Sequence, residues 1–147
     1  MEKRVKNLIL QGDFIKAKGF LNELSSSQLR VLLLHMGYDE ENICAYSFVC
    51  FLLLEKESVD YHCLASEVLC HAFPYLEGGY ATALYHMRRS VALAPDDIEL
   101  KESLLFFNTI PEKLVSDEEA RIVAAEIFQR KPTSVSAQRV LAENKDN

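Results

Sequence analysis

Apolar residues recur at three- and four-residue spacings along nearly the whole chain, and no segment reads convincingly as a strand. Residues 3–11 place Val5, Leu8 and Ile9 on one face, and Gly12-Asp13 stops that helix and caps the next. Residues 14–24, "FIKAKGFLNEL", align Phe14, Ala17, Leu21 and Leu24 as one stripe, predicting a second helix of that length. "SSS" at 25–27 is a break with an N-cap, and residues 28–36 form a third helix ended by Gly37. "DEEN" at 39–42 sets carboxylates at the start of a fourth helix, which runs to Leu54. That helix is apolar nearly all round and is expected to be the most buried. Further helices are expected over 59–73, 80–94, from Pro95-Asp96-Asp97 to Asn108, over 117–130 and over 134–143, with the tail 144–147 frayed. The expectation is therefore one all-α domain over 1–143, with about nine helices whose short connections make neighbours antiparallel.

One stretch carries more than periodicity. "GGYATALYHMRRSVALAPDD", residues 78–97, opens on a glycine pair, continues through an aromatic and an alanine, and closes on proline. "GDFIKA" at 12–17 has the same order, 66 residues earlier than "GGYATA". Tyr46 lies between the two aromatics, 32 residues after Phe14 and 34 before Tyr80, with Val49 at the alanine position. Ala83 precedes Pro95 by 12 residues, as Ala120 precedes Pro132. These offsets fall at the period of a repeated helix pair.

On Gly78, Tyr80, Ala83 and Pro95, and less fully on Gly12, Phe14 and Ala17, the chain resembles the tetratricopeptide repeat. In that family a small residue sits where two helices approach closely. Glu67 stands where the family has a large aromatic and His71 where it has a small residue, so the resemblance is to a degenerate array. It implies a short α-solenoid of stacked antiparallel helix pairs, with Tyr80 in the core and a concave surface that binds protein.

The net charge of −6 is unevenly distributed. Residues 1–35 hold six bases and three acids, whereas residues 36–95 hold eight acids and only Lys56, Arg88 and Arg89 as bases. An acidic middle argues against nucleic acid as a direct ligand, because phosphate binding needs a basic footprint. It suits a basic protein partner instead. No leader peptide is evident, and the longest apolar stretch, 43–54, is too short to span a bilayer, so a cytoplasmic location is expected.

Chemistry is sparse. Cys44, Cys50, Cys63 and Cys70 make no C-x-x-C pair and read as small buried hydrophobes. Cys63 and Cys70 are two turns apart on one helix, flanked by His62 and His71, and two turns span about 10 Å, too far to grip one ion. No phosphate-cradling loop, nucleophile elbow or H-E-x-x-H motif is present. No cofactor, metal site or catalytic residue is expected. The partner-binding candidates are Asp60, Glu67, Tyr75, Glu77, Tyr85, Arg88 and Arg89. Asp60, Glu67 and Glu77 are either an acidic docking stripe or ordinary solubilising charges. Tyr75 and Tyr85 are interface anchors or simple packing. The arginine pair is a solvated face or a hot spot for an acidic group.

The whole chain is also similar in look to bacterial immunity proteins, carried by "ENICAYSFVCFLLLEKESVDYHCLASEVL" and by residues 78–97. That likeness implies a non-enzymatic binder that neutralises a toxin domain, basic and nucleic-acid-cleaving. The alternatives are an adaptor or chaperone that recognises peptide tails, and a small Cys/His metal protein or hydrolase built around Cys63 and His71.

Overall fold

The computed structural model describes residues 1–143, so the tail expected to fray, 144–147, lies outside the described residues. Among these residues there are nine α-helices and no strand: α1 (Glu2–Leu10), α2 (Phe14–Gly19), α3 (Ser26–Tyr38), α4 (Cys44–Glu55), α5 (Val59–Ala72), α6 (Gly79–Leu93), α7 (Ile98–Thr109), α8 (Asp117–Arg130) and α9 (Val135–Glu143). The chain divides into two compact units, Met1–His86 and Met87–Asn147, and the division falls within α6.

Short polar side chains start the helices. Asp13 accepts from the Lys16 amide ahead of α2, Ser58 from that of Tyr61 ahead of α5, and Ser116 from that of Glu119 ahead of α8. Each satisfies a donor that the first turn leaves without an internal partner. Ser25 makes a full capping box: its hydroxyl accepts from the Gln28 amide at 3.1 Å and its own amide donates to Gln28 Oε1 at 2.9 Å.

In the first unit α3 packs on both α4 and α5, α4 packs on α5, and α1 lies against α2, α3 and α4. The core contains Val5, Ile9, Leu33, Met36, Phe48, Val49 and Val68, all essentially without solvent exposure. Phe14 joins it edge-on to Phe48, ring centroids 5.4 Å apart. In the second unit α7, α8 and α9 pack mutually around Leu105, Phe107, Ile127 and Val140. Asn108 is buried there and donates to the Val115 carbonyl at 3.0 Å and to Asp117 Oδ1 at 2.8 Å. The positions aligned by the repeat offsets share a property: Ala17, Val49, Ala83 and Ala120 all have zero exposure. Gly12 and Gly78, which precede two of them, share a left-handed backbone, with φ of 73° and 78°.

Four expectations need correction. The second helix ends at Gly19 and gives way to one 3-10 turn at Leu21–Glu23. Glycine is a poor helix former, and Phe20 is held instead under the Arg4 guanidinium, 4.1 Å from the ring centroid. Gly37 is the last residue but one of α3, so the third helix ends one residue beyond the expected position. A Cβ there would come within 2.9 Å of the Ala72 Cβ, so the glycine marks a close approach of α3 to α5. The acidic run 39–42 precedes α4 as a turn, with Glu41 at φ 52°. Asp39 turns to His35 and Glu40 to Lys6, and the Asn42 side chain receives the Cys44 amide at 2.9 Å. Finally, α4 is not the most buried helix. It buries Ala45, Phe48, Val49 and Leu52, while Leu54 is 89% exposed, whereas α5 buries seven residues.

Candidate functional site

Helix α3 carries two apolar stripes. Leu29, Leu32, Leu33 and Met36 point into the core. Val31, Leu34 and Tyr38, at i, i+3 and i+7, line a second edge with His35 between them. Val31 is 61% exposed and Tyr38 67%. The run of four apolar residues 31–34 serves both edges, because consecutive helical positions point about 100° apart. Facing the second edge, α5 contributes Glu67 and His71, and together they enclose an open groove of about 490 Å³. Two polar side-chain pairs also line it. Arg30 grips Glu67 through both guanidinium branches, with Nε donating to Oε2 at 2.8 Å, and His35 pairs with Asp39. An apolar strip with a charged rim is the anatomy of a protein interface.

The Arg30–Glu67 pair also borders a neighbouring concavity of about 500 Å³, lined by Leu24, Leu29, Asp60, Tyr61 and Leu64 among others. Of the residues singled out from sequence, Asp60 and Glu67 therefore meet at one pocket. Asp60 is exposed in the first turn of α5, but Glu67 is clasped by Arg30. Tyr75, 66% exposed, and Glu77 sit in the segment between α5 and α6, and neither lines that pocket. Tyr85, 58% exposed, lies edge-on to His62 and His86. In the second unit Arg88 forks onto Glu119, with Nη2 donating to Oε2 at 3.0 Å, and its hydrogen bonds, helped by its charge, hold that carboxyl below the usual range. Arg89 is half-buried, whereas the periodicity turned both arginines outward.

The charge asymmetry read along the chain is partly cancelled in space. Lys6 pairs with Glu40, Lys18 with Glu55 and Arg30 with Glu67, so three bases of the N-terminal third neutralise acids of the middle. The first unit still holds eleven acids against seven bases, and its exposed acids include Glu41, Asp60 and Glu77.

A second constellation escaped sequence reading. His62 and His86 are both buried, with their Nδ1 atoms 2.9 Å apart. His62 Nε2 is hydrogen-bonded to Glu57 Oε1 at 2.9 Å, and His86 Nε2 to the Tyr46 hydroxyl at 2.9 Å. Burial pushes the His86 imidazole pKa down to about 4, and the His62 charge adds to the effect. Burial likewise raises that of Tyr46. These residues are 40, 24 and 5 positions apart in pairs, so no local motif announces them.

The four cysteines are half-buried rather than fully buried. Burial drives the Cys70 thiol up to about 11, which leaves it a poor nucleophile at neutral pH. Among the described residues no group of three or more His, Cys, Asp or Glu side chains is placed to hold a metal ion, and no helix is long and apolar enough to cross a membrane. Comparison with family models, curated proteins and solved structures gave no significant match.

Proposed function

We propose that this chain is a non-enzymatic protein-binding module, and specifically a bacterial immunity protein that docks on and neutralises a basic, nucleic-acid-cleaving toxin domain. The observation that carries the binding reading is the α3 edge, where Val31, Leu34 and Tyr38 stand in an open groove lined also by the Arg30–Glu67 ion pair and the hydrogen-bonded His35 and Asp39. Exposed apolar residues that share one edge and line a groove are what a partner can cover. The acid surplus of the first unit supports a basic partner, because complementary charge speeds encounter and selects among partners.

The tetratricopeptide-like reading draws support from Gly12 and Gly78 sharing a left-handed backbone, from the four buried positions at repeat offsets, three of them alanine, and from the mutual packing of α7, α8 and α9. In that reading the helix pairs form a short, degenerate, cytoplasmic solenoid that needs no cofactor. A second reading, an adaptor for peptide tails, is favoured by one feature. The exposed α3 stripe runs two turns, about 10 Å, which matches a short peptide segment.

Co-expression decides between them. The domain encoded beside this gene should arrest growth when produced alone, and the present chain should restore growth when produced with it. A neighbour that is harmless alone overturns the immunity reading and leaves the adaptor reading standing.

A further inference from the structure

Four polar side chains form one continuous hydrogen-bonded chain within the first unit: Tyr46 on α4, His86 on α6, His62 on α5, and Glu57 in the segment joining α4 to α5. The two imidazoles are buried, while the Glu57 end is open to solvent. We propose that this chain is an acid-sensitive latch, which holds α4, α5 and the first turns of α6 together, tolerates one added proton and opens on the second.

The warrant is donor and acceptor accounting. With both imidazoles neutral and Glu57 ionised, only one arrangement satisfies all three bonds. The Tyr46 hydroxyl donates to His86 Nε2, His86 Nδ1–H donates to His62 Nδ1, and His62 Nε2–H donates to the carboxylate. One added proton is absorbed by reversal. His62 becomes the cation and donates from both nitrogens, His86 moves its proton to Nε2, and the Tyr46 hydroxyl turns to accept. All three bonds survive. A second proton has no such outlet. Both Nδ1 atoms would then carry hydrogen across 2.9 Å, with two positive charges in contact inside the unit. Buried polar chains are stable when fully satisfied and costly when one link fails.

The titratable groups around His86 include His62 from α5, Tyr46 from α4 (which in turn bonds Cys50), Glu57 through His62, and Tyr85 from its own helix. Of these groups only Glu57 carries negative charge at mildly acid pH, and it bonds to His62 rather than to His86. The direction of linkage follows. The folded imidazole of His86 takes its proton near pH 4 instead of the ordinary 6.5. Stability from this source is complete above the unfolded value and is lost as pH falls from about 6.5 towards 4. Two interacting imidazoles titrate as a pair, in two steps.

Urea unfolding of the full chain between pH 7.5 and 5 tests the latch, comparing wild type with His86→Gln. Glutamine is neutral at every pH, and its amide can donate towards His62 while its carbonyl accepts from Tyr46. Wild type should lose about 10–30-fold more in its folding equilibrium constant than the variant over that range. Parallel pH profiles would overturn the proposal. The histidine Cε1 protons of wild type give an independent reading that does not depend on how well His86→Gln folds. His86 should take its proton below pH 5. Two ordinary, independent titrations near pH 6.5 would refute the latch.

Discussion

Replacing Gly37 by alanine sets two opposed effects against each other at one methyl group. In an exposed helix interior the change stabilises by about 0.5–1 kcal/mol, because glycine loses more backbone freedom on folding. Here Gly37 lies inside α3 with its Cα turned to α5, and the new Cβ would stand 2.9 Å from the Ala72 Cβ and 3.5 Å from Val68 Cγ1. The Ala72 Cβ is fixed to the α5 backbone and cannot rotate away, so the two helices must separate locally. Overpacking of this kind costs about 1–3 kcal/mol. The net expectation is a loss of about 0.5–2 kcal/mol, read as a fall in midpoint in urea or thermal unfolding. The cause is separable from a generic glycine effect. Ala72→Gly should be destabilising alone, yet in combination with Gly37→Ala it should restore much of the loss, giving a coupling of about 1 kcal/mol in the double-mutant cycle. A Gly37→Ala protein at least as stable as wild type, or a pair of changes that simply add, would refute the close-approach reasoning.

Two further outcomes are expected. Ala83→Leu should lower stability by about 1–3 kcal/mol in urea unfolding, since Ala83 has no exposed surface and no room for three more carbons. Changing Asp60 to Asn together with Glu77 to Gln should leave the helical far-UV spectrum intact, slow association with a basic partner and flatten its salt dependence, because both are exposed acids of the first unit. Glu67 is excluded from that pair of changes. Its neutralisation would release Arg30 and confound loss of a negative charge with gain of a positive one.

Helix positions were legible because the apolar period and the caps are local. The α8 bounds fell at Ser116 and Lys131 as the S-D-E-E start and the following proline suggested, and Ser58 and Pro74 bracketed α5 likewise. What failed was non-local. A glycine reads as a stop unless the helix that approaches it is known, and Gly37 is explained only by Ala72. The acidic run at 39–42 looked like a helix start because Lys6 and His35, which draw two of its members away, lie elsewhere in the chain. At the candidate site, Asp60 and Glu67 were placed on one face correctly by periodicity, but the Arg30 clasp depends on packing across α3 and α5. The groove edge itself was hidden within 31–34, since four apolar residues in a row mask which of them turn outward. The Tyr46–His86–His62–Glu57 chain joins three helices and one connecting segment and has no sequence spacing to reveal it.

The α3 edge as a docking surface is tested most directly by the kinetics of binding to the purified domain encoded beside the gene. Wild type should be compared with a Val31→Asp, Tyr38→Ala double variant. Both residues are largely exposed, so the variant should fold and unfold as wild type does. If the edge is the centre of the interface, wild type should form a stable complex and the variant should dissociate about tenfold faster or more, as expected when an apolar centre is replaced by charge. Equal dissociation rates for the two proteins, in complexes of equal stoichiometry, would contradict the account.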